Sequence, residues 1–270
     1  MRKLVRSFMP PIVLELLGRT GLTRNTWSGD YATWEEARRA STGYDAQAIL
    51  DRVLHAALKV QRGQAAYERD SVVFDQVEYS WPVLAGLCWA AARDRGRLEV
   101  LDFGGALGSS YAQNRAFLNL LPDHGWNVVE QPHFVAAGRA QLTTDRLRFY
   151  ETIENCIEAR RPNVALLSSV LQYVEHPDEL LDRLANAVPT LLIDLTPVWP
   201  GVRDRITVQT VPPTIYRARY PCWVFGETRL EAVLRYRFEV VATFDPEIGR
   251  EMVVGGDQAC YRGWILRRRG

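Results

Sequence analysis

The chain has few cysteines, no long apolar run and no surplus of charge, and each shortage removes a class of function. The four cysteines among 270 residues, Cys88, Cys156, Cys222 and Cys260, lie far apart and make no Cys-x-x-Cys pair. That spacing excludes a zinc ribbon and a disulfide framework, and it leads us to expect reduced, mostly buried thiols in a cytoplasmic protein. No metal site is expected. No apolar stretch approaches the roughly 20 residues of a membrane-spanning helix. Lys and Arg total 33 against 32 Asp and Glu, a net charge of +1. Without a basic stripe, a nucleic-acid partner is not expected, and Arg267-Arg268-Arg269 reads as a solvated tail. Arg2, Lys3 and Arg6 ahead of apolar residues 8–14 imitate a secretion signal, but Pro10, Pro11 and Glu15 interrupt it. No small-residue cleavage site follows, so secretion is not expected. A peripheral contact of this basic, apolar leader with a membrane surface stays open.

What is present organises the chain into two regions. Residues 1–95 read as helical, an N-terminal helical cap without strand alternation. Thr33-Trp34-Glu35-Glu36 has the pattern of a capping box, with Thr33 as N-cap and Glu36 reaching back. Asp45 is expected to cap a second helix, in which Ile49, Val53, Ala56 and Val60 recur at helical spacing, and Pro82 suits the first turn of a third. Trp27–Tyr31 reads as a turn-rich aromatic link. From Leu98 short apolar runs alternate with helices. Strands are expected at 100–103, 126–129, 147–150, 164–168, 190–194, 238–244 and 263–267. Helices are expected at 110–121, 132–142, 153–159, 177–187 and 228–235. The expected fold is α/β: a Rossmann-like, doubly wound, mostly parallel seven-stranded sheet over residues 96–270 with helices on both faces. The last two strands should form a terminal hairpin, one of them antiparallel to the rest. Residues 199–225 are long and rich in proline and aromatics, and are expected to cover the site.

The chemistry starts at Leu98–Gly108, where an apolar run ends in Asp102 and turns through Gly104, Gly105 and Gly108 into a helix. Such a unit brings backbone close to a nucleotide-like ligand. An acid at the strand end would oppose a pyrophosphate, whereas it suits a cofactor carrying a sulfonium and an ammonium. Glu130 ends the next strand about twenty residues on, where a carboxylate can accept both ribose hydroxyls, and Gln131-Pro132 opens a helix. His176, an imidazole able to take a proton, is a candidate general base, as is Asp194 at a later strand end.

The pattern Asp102-x-Gly104-Gly105-x-x-Gly108 resembles the first motif of class I S-adenosylmethionine-dependent methyltransferases, with Ala106 where the usual middle glycine stands. That resemblance implies that Tyr150 or Glu151 flanks the adenine. It also implies that Ser168, Ser169 and Leu171 line the methionine end, and that Tyr173 holds the place of a frequent histidine. Across the chain, Trp27–Tyr31, Ser41–Asp45, Val100–Gly105, Ser168–Tyr173 and Tyr220–Phe225 together resemble a bacterial methyltransferase family that accompanies surface-polysaccharide and lipopolysaccharide biosynthesis. The likeness implies S-adenosylmethionine as cofactor and O-methylation of a sugar-containing or other small-molecule acceptor. His176, Asp194 and Tyr173 are the catalytic candidates. Trp27, Tyr31, Tyr216, Tyr220 and Trp223 read either as a platform for a glycan or as packing. A nicotinamide-dependent oxidoreductase and a non-catalytic scaffold in glycan assembly are the alternatives.

Overall fold

The computed structural model describes residues 26–41, 46–69, 71–211, 218–246 and 252–269. The basic leader, the Asp45 cap and Tyr216 lie outside the described residues. The first elements are β1 (Thr26–Tyr31), α1 (Trp34–Ala40), α2 (Ala46–Gln61), a hairpin of β2 (Tyr67–Arg69) and β3 (Val72–Phe74), and α3 (Trp81–Arg93). Strands and helices then alternate through β4 (Arg97–Phe103), α4 (Ser109–Leu118), β5 (Asp123–Val129), α5 (Pro132–Gln141) and β6 (Leu147–Tyr150). They continue through α6 (Ile153–Arg160), β7 (Val164–Ser168), a 3-10 turn at Leu171–Tyr173, α7 (Pro177–Ala187) and β8 (Thr190–Trp199). β9 (Arg205–Val211), β10 (Ala218–Gly226), α8 (Glu227–Arg237), β11 (Phe238–Phe244), β12 (Met252–Val254) and β13 (Asp257–Arg268) follow.

Local chemistry sets several of these boundaries. Thr33 Oγ1 accepts from the Glu36 N–H at 3.2 Å, and Glu36 Oε2 accepts from the Ala32 N–H at 3.1 Å, so the capping box forms. Pro82, Pro132 and Pro177 stand in first turns, where a missing N–H costs no helical hydrogen bond. The central strands are apolar on both sides because both sides are covered. Leu98, Val100, Val164 and Leu166 join one core with α2, α3, α4 and α5. Leu101, Ala165 and Leu167 join a second with α6, α7 and α8. Helices therefore cover both faces, as expected.

Eleven strands, not seven, make the main sheet, in the order β11-β13-β12-β1-β9-β10-β8-β7-β4-β5-β6, and β13 also pairs with β8. The stretch β6-β5-β4-β7-β8 is parallel throughout. β13 runs antiparallel to both β8 and β11, which is the expected terminal arrangement. Two expectations are corrected. Residues up to 95 are not all helical, because Trp27–Tyr31 is β1, paired with β9 and β12. Its partners are remote in sequence and most of its side chains are exposed, so no alternation marks it. Residues 199–225, expected to cover the site, take the form mostly of the antiparallel strands β9 and β10, Pro221 opposite Val208. Of the thiols, Cys156 and Cys222 are buried, but Cys88 is exposed. Among the described residues no helix is long and apolar enough to cross a membrane.

Candidate functional site

The chain leaves β4 toward β5 and β6 and then returns to β4's other side as β7 and β8. That reversal opens a crevice at the carboxyl ends of the strands. Asp102, near the end of β4, is 1% exposed. Trp126, fully buried on β5, donates its Nε1–H to Asp102 Oδ2 at 2.8 Å. Burial raises the Asp102 pKa to about 7, against the Trp126 hydrogen bond and with a further push from the Glu130 charge. The turn is built around this carboxylate. A Cβ on Gly105 would overlap it, and a Cβ on Gly104, at φ +70, would meet Val170. Gly108, at φ +90, is the N-cap of α4. Ala106 sits at φ +48, a left-handed backbone that costs an L-residue roughly 1–2 kcal/mol. This is the position where the usual motif has glycine.

A cavity of about 210 Å³ lies over the turn, walled by Asp102, Gly104, Gly105, Ser168 and Ser169, and by Ser109 and Phe134 on the helix side. Glu68 and Arg69 of the β2–β3 hairpin close it, and the buried Glu68 accepts from the Ser109 hydroxyl. Glu130 lines this cavity and a neighbouring one of about 610 Å³, shared with Phe103, Gln131, Glu151, Val170 and Tyr173. Glu130 accepts from the Gln131 N–H at 2.8 Å, and burial raises its pKa. The first cavity thus faces four carboxylates, Glu68, Asp102, Glu130 and Asp194, and one cation, Arg69.

Asp194, on β8, is 3% exposed and stands beside Ser168 of β7. Burial raises its pKa to about 6, while the Leu195 backbone N–H, Arg69 and Ser80 pull it back. Ser80 donates to Oδ2 at 3.4 Å, whereas the buried Oδ1 meets no hydrogen bond among the described residues. The backbone around it is strained: Ser169 lies at φ +55 and Leu195 at φ +51. With Ala106, left-handed non-glycine residues stand after β4, after β7 and within β8 around the crevice, and such strain clusters at functional sites. Asp194 and Leu195 also line a third cavity of about 480 Å³, with Arg69, Ser80, Tyr79 and Trp81.

Asp102, Gly104, Gly105, Glu130, Gln131, Ser168, Ser169 and Asp194 are therefore brought to one crevice. Others are not. His176 is an exposed N-cap of α7 and lines none of these three cavities. Tyr150 packs into the second core and its hydroxyl accepts from Arg160 Nε at 3.2 Å, so Glu151, not Tyr150, faces the larger cavity. Gly108 shapes the turn from outside these cavities. Tyr173 does line the larger cavity, but its hydroxyl donates to Gln209 Oε1 at 2.9 Å and its ring meets Tyr220 edge-on. The aromatic platform resolves mostly into packing. Trp223 is stacked between Trp34 and Phe225 and donates to Val174 O at 3.0 Å, and Trp27 meets Tyr261 edge-on. Of that set, Tyr220 lines a cavity. Glu68, Arg69 and Ser80 were missed. The signal for the first two is Tyr67-Glu68-Arg69 and Val72-Val73-Phe74 around a turn, with Ser71 at φ +67. Among the described residues no group of three or more His, Cys, Asp or Glu is arranged to hold a metal ion.

No family model and no curated protein matches the chain. Among solved structures it is similar to the 1,6-didemethyltoxoflavin-N1-methyltransferase of Burkholderia thailandensis, which holds 1,6-didemethyltoxoflavin and S-adenosylhomocysteine. The identity is 17%, over 85% of this chain and 92% of that one, with a TM-score of 0.41. It is also similar to CalS10, an amino pentose methyltransferase of Micromonospora echinaspora with S-adenosylmethionine bound, at 11% identity over 71% and 92%, TM-score 0.43. A third is an S-adenosylmethionine-dependent methyltransferase of Clostridium acetobutylicum, at 9% identity over 82% and 99%, TM-score 0.44. At such values the likeness carries no weight on function, which has to stand on the residues of the crevice.

Proposed function

We propose that the crevice binds S-adenosylmethionine and that the protein transfers its methyl group to a small-molecule acceptor, sugar-containing or otherwise. The observation that carries this is the acidic lining of the chamber over the glycine turn, four carboxyl groups against one arginine, whose buried members a bound cation would help to ionise. A dinucleotide would bring a pyrophosphate to the same turn, and Asp102 beneath Gly105 opposes that charge. A sulfonium and an ammonium are favoured by it.

The residues fit the cofactor part by part. Gly104 and Gly105 let backbone approach the methionine portion, and Asp102 sits under it. Ser168 and Ser169 face it from β7. Glu130 is placed to accept from ribose hydroxyls, and Phe103, Val170, Gln131 and Glu151 offer an apolar slot with polar edges for the base. The cofactor supplies an electrophilic methyl group on a positive sulfur. The protein's own part is alignment and exclusion of water, which can contribute roughly 7–11 kcal/mol. Asp194 is the residue placed to take a proton; His176 is not.

Calorimetric titration with S-adenosylhomocysteine, S-adenosylmethionine and NAD(P)H tests the reading. Heat with the first two, lost in Glu130→Ala, is expected. Heat with NAD(P)H alone would replace the reading by an oxidoreductase. Cofactor binding without methyl transfer to any acceptor in a glycan panel would leave a scaffold.

A further inference from the structure

We propose that the 480 Å³ cavity is the acceptor chamber, and that it takes a hydroxylated ring carrying an anionic group, with Asp194 receiving the hydroxyl proton. This rests on the methyl-transfer reading above and deepens it.

Three observations carry the assignment. First, Asp194, Leu195, Arg69 and Ser80 line both this cavity and the smaller one over the glycine turn, so they form a wall common to the two. Asp194 is therefore within reach of a group held in either compartment. Second, Asp194 Oδ1 is buried without a hydrogen bond among the described residues, while Oδ2 is held by Ser80. An unmade hydrogen bond at a buried carboxylate oxygen is costly, and an acceptor hydroxyl would make it. Third, the remaining walls, Val77, Tyr79, Trp81, Pro246 and the exposed Glu78, offer the aromatic faces of a ring-binding site, with Arg69 as the cation that must outweigh Glu78. Tyr79 and Trp81 lie 5.0 Å apart, centroid to centroid, and Trp81 is 52% exposed, unusual for so large an apolar face. Among the described residues, the hydrogen bonding of Arg69 is confined to its Nε, which donates to the Tyr67 hydroxyl at 2.8 Å. The guanidinium lies 5.4 Å over the Tyr67 ring and its charge acts on Asp194, and its two terminal nitrogens face a ligand anion, for which a guanidinium is the best-matched partner.

The step balances with the groups named. As the acceptor oxygen forms its bond to the methyl carbon, the carbon–sulfur bond breaks with its electron pair staying on sulfur. The hydroxyl proton passes to Asp194 Oδ1 and from there to solvent.

Carboxylate on an aromatic ring and carboxylate on a sugar ring share this chemistry, so both serve as probes. 4-Hydroxybenzoate and glucuronate, with 4-hydroxybenzamide and glucose as neutral twins, are titrated into protein saturated with S-adenosylhomocysteine. The assignment expects at least one acid to bind, with its neutral twin weaker by roughly tenfold, and which acid binds decides the ring class. Trp81→Ala should weaken that acid roughly tenfold and leave S-adenosylhomocysteine affinity unchanged. Asp194→Asn should still bind both ligands, but lower transfer of labelled methyl to the probe by roughly 100-fold or more. Binding of S-adenosylhomocysteine with no binding of either acid overturns the chamber. Equal binding of acid and twin overturns the anionic group, and unaltered transfer in Asp194→Asn overturns the proton's destination. No binding of S-adenosylhomocysteine at all overturns the methyl-transfer reading itself.

Discussion

Asp102 is buried at a cost to the fold. Its pKa rises from 3.8 to about 7 because the fold buries it. Below pH 4 it is protonated in both folded and unfolded chains and costs nothing. Between pH 4 and 7 the unfolded chain ionises it while the fold holds the proton, so stability falls as pH rises through that window; above 7 the loss is complete. Asp102→Asn keeps an oxygen for the Trp126 N–H and removes the penalty. Its stability should match wild type near pH 4 and exceed it at pH 8, by an amount on the order of a few kcal/mol. Urea unfolding at the two pH values measures this. The same substitution should weaken S-adenosylmethionine binding roughly tenfold or more, because a carboxylate under a cation is replaced by an amide. A substitution that stabilises the fold while weakening the ligand would mark the acid as kept for binding.

The glycine turn offers a paired test at the same scale. Ala106, at φ +48, is strained, so Ala106→Gly should raise stability by up to about 1 kcal/mol, less the entropy the glycine adds to the unfolded chain. Gly105→Ala drives a Cβ into the Asp102 carboxylate and should cost about 1–3 kcal/mol. Denaturation midpoints of both variants separate the two signs. Asp102, the glycines and Glu130 were legible because each is a strand-end residue fixed by its neighbours in sequence. His176 and Tyr150 misled because sequence gives position on a helix or strand but not direction. The first became an exposed cap, and the second turned its hydroxyl to Arg160.

At the scale of elements, helices with their own start signals were readable and strands with remote partners were not. α1 announces itself through Thr33 and Glu36, and α5 and α7 through Pro132 and Pro177. The strands β2 and β3 are three residues each and gain their place by lying against α2 and α4, so nothing in nearby sequence demands them. β10 carries Pro221 and a run of aromatics, which disguised a strand whose cross-strand register with β9 is nonetheless continuous. The cap of α1 is a local contact within residues 32–36, so its worth can be isolated. Thr33→Ala removes the acceptor for the Glu36 N–H and should lower stability by about 1 kcal/mol. S-Adenosylhomocysteine affinity should not change with it. A variant that loses affinity in step with stability would show that α1, through Trp34 on the larger cavity, helps to hold the cofactor.

The whole molecule joins a parallel block to added strands, and the two differ in how firmly they are held. β4, β7 and β8 are buried along nearly their whole length, with helices on both faces. β1 is mostly exposed and attaches through β9 and a single residue pair with β12. Opening free energies vary across a protein in this way, from near zero at poorly covered edges to the global value in the core. Amide exchange should therefore be slowest in β4, β7 and β8 and faster in β1. A ligand that binds only the folded state adds stability by mass action, about 2.7 kcal/mol at 100 times its dissociation constant. S-Adenosylhomocysteine contacts proposed for the crevice lie at the ends of β4, β5 and β7, so openings that expose those strands must release it. Protection there should rise by that amount, roughly 100-fold in exchange rate. Openings of β1 that leave the glycine turn intact need not release the ligand, and exchange in Thr26–Tyr31 should hardly change. Equal slowing across β1 and β4 would mean instead that all eleven strands open together, and that the added strands are part of the cofactor-binding unit.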